Sequence, residues 1–293
     1  MIRFGIVVIF AVVFALLAAS YAGGLHPLGD SLALLAPFPA IVGLFSAFAL
    51  RRRWLRGLGL ALCAAALIDF AYNRLRGSGP AGDLVLYQKN LFFGNAQMHA
   101  VIGDIIASKA DIITLQEVSE RNLPPLRALI ETHPHTQFCT ASGRFGNAIL
   151  SRYPIVEDTR ACSAIRGMAV AQVETPVGHA WVVSLHLHWP YPYRQAAHLA
   201  SMEPMLSAMD GPVIIGGDFN MTPGTRVTRR VARLTETQEL RPVLTTFHLR
   251  QIPMMIDHVL APAGKIEQRP KYGSDHHGLV GYIGLDRAHD RER

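Results

Sequence analysis

The chain has 293 residues, half of them hydrophobic and only 17% charged, against the roughly 25% of an ordinary soluble domain. Its formal net charge of +6 is uneven: residues 1–79 hold seven arginines and two acids, Asp30 and Asp69, while residues 80–293 are nearly neutral with 21 Lys/Arg and 20 Asp/Glu. A nucleic-acid binder concentrates its basic excess on the binding domain; here the excess flanks apolar runs, which argues against a broadly basic nucleic-acid surface on the remainder.

Three apolar runs open the chain. Residues 4–22 and 31–50 carry no charge, and residues 54–72 carry Arg56 near the start and Asp69 near the end. About 20 largely apolar residues are needed to cross a bilayer, so the runs predict three transmembrane helices forming an anchor over 1–72. A cleaved signal peptide is the alternative for the first run, and a buried helix of the soluble domain for the third. Arg51, Arg52, Arg53 and Arg56 cluster between runs two and three, whereas the loop GGLHPLGD between runs one and two has no Lys or Arg. Positive loops stay in the cytoplasm. The expected protein is therefore a multi-pass cell-membrane protein whose chain leaves the third run on the extracytoplasmic side. Arg74 and Arg76 pull weakly the other way.

Residues 73–82, NRLRGSGPAG, read as a linker, since Gly and Pro interrupt regular structure. From residue 83 the pattern alternates between strand and helix, which points to an α/β domain over 83–285, followed by a polar tail over 286–293. Strands are predicted at 83–90, 111–117, 147–152, 167–175, 180–188, 213–217, 256–261 and 278–284. Helical stretches are predicted at 96–109, 120–131, 193–208 and 225–235. No CxxC or Cys/His zinc spacing is present. Cys139 and Cys162 could pair in an oxidising compartment, but two unlinked thiols are the default expectation.

Polar residues collect at the strand ends. Asn90 ends the first strand and Glu117 the second; His186 lies near the end of WVVSLHLHW; Asp218 and Asn220 follow VIIGG; Asp257 begins IDHVL; Asp275 and His276 precede the last strand. Strand ends and the loops after them collect catalytic groups in α/β folds. Carboxylates and amides in this proportion suit a hard divalent cation, which polarises a phosphoryl oxygen. Singly, each is an ordinary turn or solvated side chain, and GDFN alone is only a good turn sequence. The ordered set carries the functional reading.

With these pieces in order, YQKN at 87–90, TLQE at 114–117, GNAILSRYPI at 146–155, SLHLH at 184–188, GGDFN at 216–220, IDHVL at 256–260 and GSDHHG at 273–278, the chain resembles the endonuclease/exonuclease/phosphatase superfamily. The resemblance covers residues 83–284. It implies a four-layer α/β sandwich, two β-sheets packed face to face between helices, and metal-dependent hydrolysis of phosphate esters with Mg²⁺, or Mn²⁺ in its place. Metal ligands would be Asn90, Glu117, Asp257 and Asp275, with Glu117 principal. Asp218 would orient or deprotonate the attacking water, and Asn220 would stabilise the transition state. His276, paired with Asp275, would contact the scissile phosphate or move a proton. His186 and Asn220 would bind phosphate oxygens, with Asn147 as a further contact. The chain departs from the pattern at Phe92, where some members carry a polar metal-site residue, and at His258, where many have an aromatic.

An anchor before this domain resembles a membrane-bound bacterial branch that includes teicoplanin-resistance-type phosphatases. The implied substrate is a lipid-linked phosphate such as a polyprenyl pyrophosphate, with the bilayer as partner. WPYPY at 189–193 is then an interfacial loop or a plain Pro-rich turn. The alternatives are an extracytoplasmic nuclease, which could use RVTRRVAR at 226–233 to bind nucleic-acid phosphates, and a non-catalytic membrane protein.

Overall fold

The structure is a computed structural model that describes residues 2–140 and 146–286, with side chains from residue 5. The expected tail lies outside these residues, apart from Asp286.

Four helices come first: α1 (Ile2–Ser20), α2 (Leu28–Ala33), α3 (Pro37–Ala47) and α4 (Arg53–Leu75). The second apolar run does not form one helix. It divides into α2 and α3, and Pro37 opens α3, a position where its missing N–H goes unneeded. Eleven residues rise about 16 Å, roughly half of a hydrocarbon core about 30 Å thick. The expectation of three spanning helices is corrected accordingly: among the described residues, one helix, Arg53–Leu75, is long and apolar enough to cross a membrane by length and composition. It continues through Asn73, Arg74 and Leu75, past residue 72. Leu17, Ala40 and Cys63 form the contact between α1, α3 and α4. Gly43 faces Cys63 and Gly59 faces Phe10, so closely that a Cβ at either would collide. Small residues let helices approach this way.

The remainder runs β1 (Leu84–Asn90), α5 (Met98–Ser108), β2 (Ile112–Val118), α6 (Leu123–Leu126), β3 (His135–Cys139), β4 (Gly146–Ser151), β5 (Ile155–Cys162), β6 (Met168–Thr175), β7 (Gly178–His186), α7 (Gln195–Ser207), β8 (Val213–Asp218), α8 (Arg226–Leu234), β9 (Gln238–Glu239), β10 (Phe247–Leu249), β11 (Ile252–Met254), β12 (Asp257–Ala261), β13 (Ala263–Arg269) and β14 (Gly278–Gly284). Two six-stranded sheets result, in the orders β13-β14-β1-β2-β4-β3 and β5-β6-β7-β8-β12-β9, with β10-β11 as a separate hairpin. Each sheet holds one parallel pair, β1–β2 and β7–β8. A parallel pair needs a crossover, and α5 and α7 supply it.

Side-chain alternation along the strands sorts the core into three layers of contact. Leu86, Ile112 and Ile149 of the first sheet meet Val182, Ile214 and Val259 of the second. Tyr87, Ile113 and Leu150 point the other way, onto α5 and α6. Val183, Leu185 and Ile215 point outward onto α7 and α8. The arrangement is helix, sheet, sheet, helix, the expected sandwich. Contrary to the default expectation, Cys139 and Cys162 form a disulfide, joining β3 to β5 across the sheets' adjacent edges.

The helical unit is fixed to the sandwich by polar contacts. Arg226 of α8 pairs with Asp30, and Arg229 lies 3.8 Å from Asp69. Ser31 Oγ donates to the Tyr191 carbonyl at 2.8 Å.

Candidate active site

The alternation that builds the core also builds the site. In β1, Asn90 shares the parity of Leu84 and Leu86; in β8, Asp218 shares that of Ile214; in β12, Asp257 shares that of Val259. Asn147 and His186 follow the same rule on β4 and β7. All five therefore face the seam between the sheets, at the end where the apolar layer stops. Register completes the placement. His186 pairs with Asp218 across the parallel ladder, and Asp257 pairs with Asp218 across the antiparallel one. Glu117 has the parity of Ile113 and Leu115 and would face α5. A left-handed φ of 54° and a register shift between Leu115 and Val118 turn it to the sheet end instead. Bulges and left-handed non-glycine residues of this kind gather at functional sites; Asn220, at φ 48°, is another.

Beneath the site lies a polar stratum. Gln88 Nε2 donates to Gln116 Oε1 at 2.9 Å and to Asp257 Oδ1 at 3.3 Å. Gln116 Nε2 donates to Ser184 Oγ at 3.0 Å, and Asn147 Nδ2 donates to the Ser184 carbonyl at 3.0 Å. Gly216 is required here because a Cβ would collide with the Thr114 hydroxyl.

The residues above it open into a cavity of about 480 Å³, lined by Glu117, Asn147, His186, Asp218, Asn220, Asp275 and His276. Asn90 and Asp257 stand behind this wall. Asn90 Nδ2 lies between two carboxylates, 3.3 Å from Glu117 Oε1 and 3.0 Å from Asp218 Oδ2, while its oxygen accepts from Phe92 N–H. The partner of His276 is Asp257, whose Oδ2 lies 2.7 Å from Nδ1. Asp275, the partner expected from the resemblance, is 4.0 Å from Nε2 with a half-exposed side chain. That bond to Asp257 leaves Nε2 directed at Asp218, 3.8 Å away; His186 Nε2 is 3.6 Å from the same oxygen.

Electrostatics divide these groups. Burial pushes Asp218 up to about 7, against the pull of His276. Burial opposes a charge on His276, but Asp257 and Asp218 outweigh it and hold the imidazolium up to about 9. His186 is brought down to about 3 by burial, with the His276 charge adding to it, so it is neutral. Glu117 is raised by burial, partly offset by the Phe93 N–H and Asn90.

A divalent cation fits this donor set. Glu117, Asp218, Asp257 and Asp275 bring four carboxylates to one place against the single imidazolium of His276, two of the four held above their ordinary range by desolvation, and the excess of negative charge calls for a further counter-ion. Oxygen donors suit a hard cation. Asp218, Asp257 and His276 offer ligand atoms within 4.8 Å of one another, although the His276–Asp257 hydrogen bond already engages one atom of each.

The cavity also contains Arg166, Gly167 and Phe247, which sequence reasoning passed over, and His188, which belongs to the SLHLH motif but was given no role beside His186. Trp189 and Tyr193, read from sequence as part of an interfacial loop or turn, line it too. Phe247 sits against His276 at 4.8 Å between ring centroids. Arg166 lies in the connection between β5 and β6, and Phe247 opens the short β10 of the separate hairpin, where no periodicity marks them. His258, by contrast, is a packed histidine that bonds the Met221 carbonyl at 2.8 Å and meets Phe219 edge-on.

Residues 88–276 match the Endonuclease/Exonuclease/phosphatase family. Among solved structures, the chain is similar to a mutant beta toxin of Staphylococcus aureus with bound magnesium ions (TM-score 0.54, 15% identity, 69% of this chain and 100% of that one). It is also similar to truncated Caenorhabditis elegans TDP2 (TM-score 0.55, 17% identity, 68% and 96%). A third likeness is to the 3′ phosphatase NExo from Neisseria bound to product DNA hairpin (TM-score 0.54, 17% identity, 69% and 99%). The comparison with curated proteins gives no match. The family match spans most of the sandwich, seam and site included: the chain belongs to the endonuclease/exonuclease/phosphatase family, and so to the metal-dependent hydrolases of phosphate ester bonds.

Proposed function

We propose that the protein is a Mg²⁺-dependent phosphoesterase held at a membrane by its N-terminal helices, acting on a lipid-linked phosphate or pyrophosphate from the extracytoplasmic side. The observation that carries the substrate reading is the Ser31–Tyr191 hydrogen bond, which ties the helical unit to the 189–193 loop whose Trp189 and Tyr193 line the cavity. Two observations support the orientation. Four arginines, 51–53 and 56, precede or open α4, as for a cytoplasmic helix end. The Cys139–Cys162 disulfide suits an oxidising compartment.

In this reading Glu117, Asn90 and Asp275 hold the cation, leaving Asp218, Asp257 and His276 to proton chemistry. The bound cation would neutralise charge developing on the phosphoryl oxygens. Asp218, near 7, is poised to accept a proton from water. Asp257 fixes the ring of His276, whose Nε2–H is the donor available to a phosphate oxygen. Asn220, whose Nδ2 gives one hydrogen to the Leu187 carbonyl, would donate the other to the same group without competing for the cation.

The nuclease alternative loses support at α8. Arg226 and Arg230 are paired with Asp30 and Glu203, and Arg229 is near Asp69. The deciding experiment is a substrate panel on the full chain in nanodiscs: polyprenyl pyrophosphate, phospholipid, nucleic acid and a water-soluble phosphodiester, each with Mg²⁺ and with EDTA. Mg²⁺-dependent release from the polyprenyl substrate above the others is expected; preference for nucleic acid would overturn the reading. A reporter fused after Gly82 should be active only outside the cytoplasm, and cytoplasmic activity would reverse the orientation.

A further inference from the structure

We infer that the 189–193 loop is a membrane-contact rim, which lays the mouth of the catalytic cavity on the headgroup layer of a bilayer. The inference rests on the reading of the N-terminal helices as a membrane anchor. Three observations converge on it.

First, the loop belongs to two places at once. Trp189 and Tyr193 line the cavity, while Tyr191 is joined to the connection between α1 and α3, through Ser31 and by ring contact with His26 at 5.5 Å. Second, that connection lies at the same end of the helical unit as the last turns of α4. Tyr21 and Asp30 line a common cavity of about 310 Å³ with Asp69, Asn73 and the start of α8. The ion pairs of Arg226 with Asp30 and Arg229 with Asp69 bridge this junction, so the loop keeps a set orientation relative to the helix ends.

Third, the side chains turned outward at this end have interfacial chemistry. Tyr21, Tyr72, Tyr191 and Tyr193 are 60%, 63%, 48% and 65% exposed, and Leu25 is 91% exposed. Tyrosine and tryptophan favour the depth of the headgroups, where a ring can be apolar at one end and hydrated at the other. An exposed leucine beside them would enter the boundary with the acyl chains. A bilayer surface is the one partner that meets the apolar helices and this tyrosine collar together. A phosphate held at that surface would reach the cavity without leaving the plane of its lipid.

The test uses tryptophan emission from the full chain in nanodiscs whose lipids are brominated near the carbonyl end of the acyl chain. The variant Trp54→Phe/Trp181→Phe leaves Trp189 as reporter; Trp181→Phe/Trp189→Phe leaves Trp54, on α4, as a control for insertion. Emission from Trp189 should fall by about twofold relative to unbrominated nanodiscs, as for an interfacial ring. An unquenched Trp189 beside a quenched Trp54 overturns the rim while leaving the anchor standing. No quenching of either removes the anchor and the rim with it. Independently, Tyr191→Ala should raise KM for vesicle-held phosphate about tenfold, as loss of an interfacial contact predicts, with kcat/KM on a water-soluble phosphodiester unchanged. An unchanged KM on vesicles overturns the inference. Quenching without any activity on lipid-linked phosphate would instead strike at the proposed substrate, so the two readings fail separately.

Discussion

Phe45, Trp54 and Ile68 of the N-terminal helices leave 71%, 64% and 67% of their surface exposed, while Leu86, Ile113 and Ile214 of the sandwich leave none. Hydrophobic composition is therefore answered in two ways along one chain. The sandwich closes on itself, each central strand having a sheet on one face and a helix on the other. The helices close only along a thin contact of small residues and present the rest outward, which is stable when the surroundings are apolar. The candidate catalytic residues lie wholly on the first kind of structure, and the attachment proposed above would rest on the second.

That division can be broken at its strongest point first. Glu117→Ala or Asp218→Ala should lower Mg²⁺-dependent phosphate release by ~10³-fold with the unfolding midpoint little changed; full activity in both would remove the seam as the site. Next, Ile113→Ala, in the layer between the first sheet and α5, should destabilise the sandwich by about 2–5 kcal/mol, measured by urea unfolding in a bilayer mimetic. Reduction of the Cys139–Cys162 bridge, which closes a separation of 23 residues, should cost about 3 kcal/mol. A midpoint indifferent to reductant would show that the bridge does not contribute.

A smaller effect is expected from pH. His198 accepts the His188 N–H at Nδ1 and bonds the Arg166 carbonyl through Nε2, which fixes a neutral ring, and burial brings it down to about 4, helped by neighbouring His188. Above the ordinary value of 6.5 the ring is neutral both folded and unfolded. Between 6.5 and 4 only the unfolded chain takes up the proton, so stability falls as pH falls through that window. His198→Gln should flatten this part of the slope, and an unaltered slope would contradict the assignment. The smallest effect belongs to the helices: Phe45→Ala should alter sandwich stability by no more than about 0.5 kcal/mol. A larger change would mean that the outward face supports the domain.

Sequence reading succeeded where burial was two-sided. VIIGG is apolar, and IITL nearly so, because both faces of a central strand are covered, and the carboxylate that follows each run is conspicuous for that reason. Edge strands were missed. In β5 and β13 half the side chains meet solvent, so charges such as Glu157, Asp158 and Lys265 mask the strand. The second apolar run misled because hydropathy does not register where prolines divide a helix. The Asp257–His276 pair escaped because it depends on the ladder register that sets β12 against β8, and the disulfide because it joins different sheets. Arg166 enters the cavity from a strand connection and Phe247 from a three-residue hairpin strand, where their direction is decided by tertiary structure alone.

The seam has one more consequence. Asn90 and Glu117 come from one sheet, and His186, Asp218 and Asp257 from the other, so neither sheet alone holds the candidate catalytic set. Sliding one sheet past the other would separate Asn90 from Asp218 while leaving every strand intact. With the site proposed above, turnover would gauge sheet alignment, and a chain with its secondary structure formed but its halves undocked would be silent.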